Sequence, residues 1–189
     1  FAPSPTGPLH LGHAYSACLA HEMAHSAGGA FYLRIDDLDQ SRSRPKWEEL
    51  IKTDLHWLGL IWQPEVWRQS GRLPRYIEAL QNLWDQGLLY PCTCTRADIR
   101  AAASAPQEGA PISGPDGLIY PGTCRPEKPC RGPMPDLPLR IDMARALSRV
   151  EDLSYRETGE NPGDISIGRL DRTAGDVALA RPGMGASYH

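Results

Sequence analysis

The chain has 189 residues, with 20 Lys and Arg against 23 Asp and Glu, for a formal net charge of −3. That length suits one domain, or one domain with an insert, and the balance gives no overall basic field, so any nucleic-acid contact must come from a local site. No apolar run reaches membrane-spanning length and no signal peptide is visible. The five cysteines are an odd number, and two stand as Cys92-Thr93-Cys94. This usage suits a reducing compartment, hence the cytoplasm, and a metal rather than a disulfide framework. The chain has no initiator Met and stops at Tyr188-His189, so it is read as a fragment.

In chain order, "FAPSPTGPLHLGHA" opens with a Pro/Gly turn, followed by His10, Gly12 and His13. Residues 15–27 carry apolar positions at helical spacing and end at Gly28-Gly29. "AFYLRI" (30–35) reads as a strand that runs into the acidic "DDLDQ". Pro45 opens a helix to about Trp57, with proline in its first turn. A second helix, 73–87, ends at Gly87. Thr95 and Asp98 form a capping-box pattern for a short helix through Ala103. Residues 104–138 are rich in Pro and Gly and too long for an idle loop, so they require a function or a staple. "PLRIDM" and "DVALAR" read as strands. The order predicts an α/β nucleotide-binding core interrupted by a small inserted module.

The opening turn has a chemistry of its own. A helix N-terminus presents unpaired N–H groups and the positive end of the dipole, and so can cradle phosphate. His10 and His13 share one face of that first turn and can donate to phosphate oxygens. Gly12 removes a side chain, so that a base or ribose can approach the backbone. Asp36, Asp37 and Asp39 follow the strand at its carboxyl end, where open α/β sheets bind ligands, and a carboxylate there can hold a substrate ammonium. Asp37 or Asp39 can instead cap the next helix.

His21-Glu22-Met23-Ala24-His25 matches the zinc-protease pattern H-E-x-x-H. No third ligand stands at a suitable distance, so both histidines are read as polar-face residues. Cys18 is read as plain core, and the Trp-rich stretches "HWLGLIW" and "EVWRQSGR" as helix and turn packing. Arg68 and Arg72 are read as a solvated face. Cys92, Cys94, Tyr120 and Cys124 form C-x-C-x25-Y-x3-C. Three thiolates suit a structural zinc closing a loop that has no core. Bare chemistry leaves Cys130 open as a fourth ligand beside Tyr120.

The whole opening stretch resembles that of class I glutamyl-type aminoacyl-tRNA synthetases. His10-Leu11-Gly12-His13 is similar to their HIGH signature, and "RIDDLD" (34–39) stands where that group carries R-I-E-D-x-D. "YPCTCTRADI" (90–99) and "GDVALARPGMGASYH" also resemble the group. The resemblance implies a Rossmann-like class I synthetase catalytic domain with a small inserted zinc-binding module. Residues 1–90 are then the first half of the catalytic domain, 91–135 the zinc module, and 136–189 the insert remainder and the return to the catalytic domain. It implies a ligase that uses ATP with Mg2+ and L-glutamate, with His10 and His13 stabilising the α-phosphate during adenylate formation. ATP would lie against Pro5, Thr6, Gly7, His10, Gly12 and His13. Glutamate would lie against Phe1, Ala2, Pro3, Ser4, Asp36 and Tyr188. The matching acid in the family is a Glu; Asp36 is one methylene shorter, so a water can bridge its contact. The pattern Tyr120-x3-Cys124, without His, resembles the zinc site of the short glutamyl-queuosine tRNA(Asp) synthetases. It implies Tyr120 as fourth ligand, tRNA(Asp) containing queuosine as acceptor, and a monomer. An ordinary glutamyl-tRNA synthetase catalytic fragment is the alternative. A nucleotidyltransferase of the same fold and an inactive binding module stand further off.

Overall fold

A computed structural model describes residues 1–104, 113–114, 117–151, 153–168, 170–181 and 185–186. The chain divides into two compact units, Phe1–Tyr76 and Ile77–His189.

In the first unit, three extended segments run in parallel. Arg34 N donates to Phe1 O and Asp36 N to Pro3 O, both at 3.0 Å. Trp67 N donates to Leu33 O at 3.2 Å and Gln69 N to Ile35 O at 3.0 Å. The regular pairing is short: β1 (Arg34–Ile35) lies parallel to β2 (Trp67–Arg68). Helix α1 (Leu11–Ser26) joins the first segment to the second, and α2 (Pro45–Trp57) joins the second to the third. Parallel neighbours require such crossovers, and this alternation is the pattern of a nucleotide-binding half-sheet. All three segments end on one edge, at Ser4, Asp36 and Gln69.

The local reasons are those the sequence carries. Pro45 is the first residue of α2, where its missing N–H is harmless. Gly28, with φ 66°, follows the end of α1 in the left-handed conformation that stops a helix cheaply. Leu33 and Ile35 alternate inward from the strand, and Ile51 and Leu55 project from one face of α2; with Ala17 and Leu60 they form the core. Cys18 packs at its margin, as expected. On α1, however, the large apolar residues Leu11, Tyr15, Leu19 and Met23 are exposed, and only Ala17 is fully buried. The periodicity located the helix, but its bulky stripe is not the face that meets the core. Trp57, at 84% exposure, also departs from the packing expected of the Trp-rich stretch. Trp62 conforms, lying half-buried against the core.

The second unit is built on an antiparallel sheet. Helix α3 (Leu73–Asp85), within which the division of the chain falls, is followed by Gly87 with φ 70° and then β3 (Leu89–Pro91). Helix α4 (Arg96–Ser104) carries the expected capping box: Asp98 accepts from Thr95 N at 2.8 Å, and Thr95 Oγ accepts from Asp98 N at 3.2 Å. A small hairpin, β4 (Ser113–Gly114) and β5 (Gly117–Leu118), follows. Strand β6 (Leu139–Ile141) returns to pair with β3, Pro91 opposite Leu139, so residues 92–138 leave and re-enter the sheet at one rung. Short helix α5 (Met143–Leu147), hairpin β7 (Ser154–Glu157) and β8 (Gly163–Ser166), and short helix α6 (Leu170–Thr173) lead to β9 (Ala178–Arg181) and β10 (Gly185–Ala186). The sheet order is β10-β9-β6-β3. The two strands read from "PLRIDM" and "DVALAR" are therefore antiparallel neighbours.

Candidate functional site

His10 is the N-cap of α1. Its Nδ1 accepts from Gly12 N at 3.2 Å, while His13 Nδ1 accepts from His10 N, also at 3.2 Å. The two rings stack, with centroids 3.7 Å apart. A neutral imidazole that accepts at Nδ1 must carry its proton on Nε2. Both rings are thus held in one tautomer, with their Nε2–H donors directed away from the backbone they cap. The pKa of His13 is lowered, first by burial and then by the neighbouring His10, which favours the same neutral form. Gly12 has a role the sequence did not disclose. A Cβ there would lie 3.1 Å from Cε1 and 3.2 Å from Nδ1 of His10. Its bareness makes room for the His10 ring over the first turn.

The parallel ladder brings the acidic turn beside the opening segment, since Asp36 N bonds Pro3 O. Asp36 is not a free carboxylate. Arg34 Nε donates to Oδ1 at 2.8 Å and Arg34 Nη2 to Oδ2 at 3.4 Å, a fork that two residues on one face of a strand can make. Asp37 accepts from Ser70 N at 2.9 Å and from Ser70 Oγ, tying this turn to the end of the third segment. Asp39 accepts from Ser41 and Arg42, which hold its pKa down at about 2. Neither aspartate caps α2; its N-cap is Arg44, without a side-chain cap. Next to Ser70, the Gln69 side chain is 2% exposed and its Nε2 has no partner among the described residues. A cavity of about 380 Å3 is lined by Phe1, Ala2, Tyr32, Leu33, Arg34 and Trp67. Pro3 and Pro5 are buried, and Ser4 and Thr6 are exposed. Tyr188 lies outside the described residues.

The sulfur cluster belongs to the second unit. The Sγ atoms of Cys92, Cys94 and Cys124 all lie within 4.8 Å of one another, the one such convergence of metal-capable groups among the described residues. Cys94 Sγ is 3.4 Å from Cys124 Sγ, and the Tyr120 hydroxyl lies 3.3 Å from Cys92 Sγ and 3.8 Å from Cys94 Sγ. A tetrahedron with metal–sulfur bonds near 2.3 Å has edges of about 3.8 Å, so four donors at these separations suit one small ion. Cys130 packs against this cluster, but its sulfur is not among the converging donors. Burial alone would raise the Cys92 thiol; its hydrogen bonds with Tyr120 and Arg140 outweigh it and bring the thiol to about 7. Cys94 is pushed up to about 11 by its hydrogen bond with Cys124 and by burial. Burial, then the hydrogen bonds to Cys124 and Cys92, raise Tyr120.

Comparison with known proteins agrees with this architecture. Residues 1–113 match the model of the catalytic domain of class I tRNA synthetases for E and Q. The chain is 53% identical, over its whole length, to a glutamyl-Q tRNA(Asp) synthetase of Rhodobacter capsulatus, of which it covers 68%. The chain belongs to this class I synthetase family.

Another relative, the glutamyl-Q tRNA(Asp) synthetase of Rhodopirellula baltica, is 42% identical over 95% of the chain and 56% of its own length. Among solved structures, a glutamate–tRNA synthetase from Elizabethkingia anophelis superposes with a TM-score of 0.66 at 25% identity, covering the whole chain but 39% of its own. The chain thus spans between about two fifths and two thirds of the length of these relatives. The protease-like histidines make no metal site: His21 accepts from Ile61 N at 3.3 Å and its ring meets Phe31 edge-on, and no third ligand joins the pair among the described residues. Arg68 forms an ion pair with Glu48, and Arg72 stacks on Trp67 at 3.6 Å.

Sequence reasoning missed two residues that hold the sulfur cluster in place. Arg140 donates from Nε to Cys92 Sγ at 3.3 Å and lies 4.0 Å over the Tyr120 ring. Asp176, 1% exposed, accepts from Tyr90, Met143 N and Arg125 Nε, the last at 2.6 Å. A signal existed for neither: an Arg within a strand and an Asp before one are ordinary until their partners are known. Among the described residues, no helix is long and apolar enough to cross a membrane.

Proposed function

We propose that the protein is a ligase that activates L-glutamate with ATP and transfers the glutamyl group to queuosine in the anticodon of tRNA(Asp). The observation that carries the first step is the pair of histidines, each anchored through Nδ1 and presenting Nε2–H at the carboxyl edge of a parallel ladder. A glutamate carboxylate oxygen bonds the α-phosphorus of ATP, and the bond to pyrophosphate breaks. Negative charge grows on the α-phosphate oxygens. Two preoriented donors need no reorganisation to meet that charge, which is where binding accelerates reaction. Pro5, Thr6 and Gly7 shape the turn that receives the nucleotide, and Gly12 keeps the His10 ring in place. Mg2+ bound with ATP would shield its phosphates. Phe1, Ala2, Pro3, Ser4 and Tyr188 line the amino-acid pocket in this reading. Asp36, already shared with Arg34, meets the substrate ammonium directly or through a water.

Cys92, Cys94, Cys124 and Tyr120 would hold one structural zinc, closing the excursion 91–135 as a module of its own within the catalytic domain. The choice of acceptor is supported by the relatives, several of which bear the name glutamyl-Q tRNA(Asp) synthetase.

The test incubates the full-length protein with ATP and labelled glutamate, together with queuosine-containing tRNA(Asp), queuosine-free tRNA(Asp) or tRNA(Glu). Label on queuosine-containing tRNA(Asp) that survives periodate treatment of the 3′ end is expected. Label on tRNA(Glu) alone would replace this reading with an ordinary glutamyl-tRNA synthetase, and absence of glutamate-dependent pyrophosphate exchange would overturn adenylate formation itself.

A further inference from the structure

Arg96 opens α4, Arg140 lies in β6 and Arg181 ends β9. All three line one cavity of about 300 Å3, together with Cys92, Cys94, Ile99, Pro138 and Ala178. Three arginines thus line one cavity, in a chain whose formal net charge is −3. Arg140 is committed within the protein. It bonds Cys92 Sγ, the Asp176 carbonyl at 2.6 Å, and the face of Tyr120. Arg96 and Arg181 are exposed, and among the described residues their side chains have neither an ion-pair nor a hydrogen-bond partner. Ile99, Pro138 and Ala178 give the same cavity an apolar floor.

The other arginine-rich surface is different. The groove around residues 65–75 carries Arg68, Arg72 and Arg75, but Glu48 neutralises Arg68, and Arg72 is shared between Trp67 and Glu65. Two of its three arginines are thus engaged within the protein.

A cavity with one fixed and two uncommitted guanidinium groups over an apolar floor matches a sugar–phosphate unit. The guanidinium fork fits phosphate oxygens, and the floor suits the ribose face. We infer that this cavity is a phosphate-binding site for the RNA backbone, with Arg96 and Arg181 making the contacts and Arg140 forming a fixed positive wall. This rests on the proposed tRNA acceptor and places one of its contacts in the second unit. The sulfur cluster and Asp176 hold Arg140, and through it the back of the cavity.

The experiment measures binding of the full-length protein to queuosine-containing tRNA(Asp) by filter retention from 50 to 300 mM salt, for the unaltered protein, R96Q/R181Q and R96K/R181K. The Gln pair should lose about tenfold in affinity per arginine at the lowest salt, the scale of one hydrogen bond to a charged group. Its log–log salt slope should fall by about 1 per arginine. The Lys pair should recover most of the slope and little of the forked geometry. Metal content and glutamate-dependent pyrophosphate exchange should be unchanged in both, because neither arginine belongs to those sites. An unchanged slope in R96Q/R181Q, with exchange and transfer intact, overturns this inference alone. Loss of inorganic pyrophosphate binding in that variant, with RNA binding intact, overturns it in favour of a small-anion site. No RNA binding by the unaltered protein overturns it together with the acceptor assignment.

Discussion

Replacing Asp176 by Ala tests how the second unit is held together. Its carboxylate is almost wholly buried and accepts from the Tyr90 hydroxyl, Met143 N and Arg125 Nε. The burial of Tyr90, then its hydrogen bond to this carboxylate, hold the phenol well above its usual range, so Tyr90 remains a donor. Removing the acceptor orphans two neutral donors, the buried Tyr90 hydroxyl and the part-buried Met143 N, at roughly 1–3 kcal/mol for a buried donor left unmade and less where water reaches it. It also strips Arg125 of its ion pair, but that side chain is 33% exposed, so water recovers part of the loss. The sum is about 3 kcal/mol, the lower end of what breaking a buried ion pair costs. For a chain of this size that corresponds to a melting-temperature drop of roughly 6–12 °C. Asp176→Asn keeps one acceptor and should lose about half as much. Differential scanning calorimetry of the metal-loaded protein reads both. A drop below about 2 °C for Asp176→Ala would refute the reasoning, because it would mean these donors find water or other partners at no cost.

Four further outcomes follow. Replacing His10 and His13 together by Ala should lower glutamate-dependent pyrophosphate exchange by at least a hundredfold, with the loss falling on kcat more than on the KM for ATP. Because His13 is held neutral by burial and by His10, its folded pKa lies below the unfolded one, and protonation on acidification removes its Nδ1 acceptor. Exchange should therefore fall as pH drops below the ordinary histidine range and stay flat above it; a rate that rises on acidification would exclude the neutral tautomer. Cys94→Ser should lose metal, as measured by atomic absorption, whereas Cys130→Ser should retain it. Gly87→Ala should destabilise by about 2 kcal/mol in denaturant unfolding, since its φ is 70° and a Cβ there would lie 2.7 Å from Pro129 Cβ.

The parts of the fold legible in the sequence were those written in local chemistry. Pro45, Gly28, Gly87 and the Thr95–Asp98 box mark helix ends by backbone rules that tertiary structure does not override. The histidine turn was legible because its residues act within four positions of each other. Long-range facts were not. Nothing local says that Asp176 will gather donors from Tyr90, Arg125 and Met143, which stand 86, 51 and 33 positions away. The stripe Leu11, Tyr15, Leu19 and Met23 shows the same limit from the other side. Period fixes a helix, but which face is buried depends on what arrives to cover it. Strand β3 was missed because it is three residues long and includes a proline, which is tolerated there because Pro91 is its last residue.

The rung at Pro91 and Leu139 has an evolutionary consequence. Whatever happens between those residues, the sheet meets itself at the same place, so selection can lengthen, shorten or rebuild residues 92–138 without re-registering the strands that flank them. The closure entropy of such an excursion grows only with the logarithm of its length, so insertions there are cheap. A lineage could exchange the members of the sulfur cluster, or discard them, while the strands on either side keep their pairing. The strand register leaves the length of the excursion open, and within it the sulfur cluster draws positions 92, 94 and 124 together.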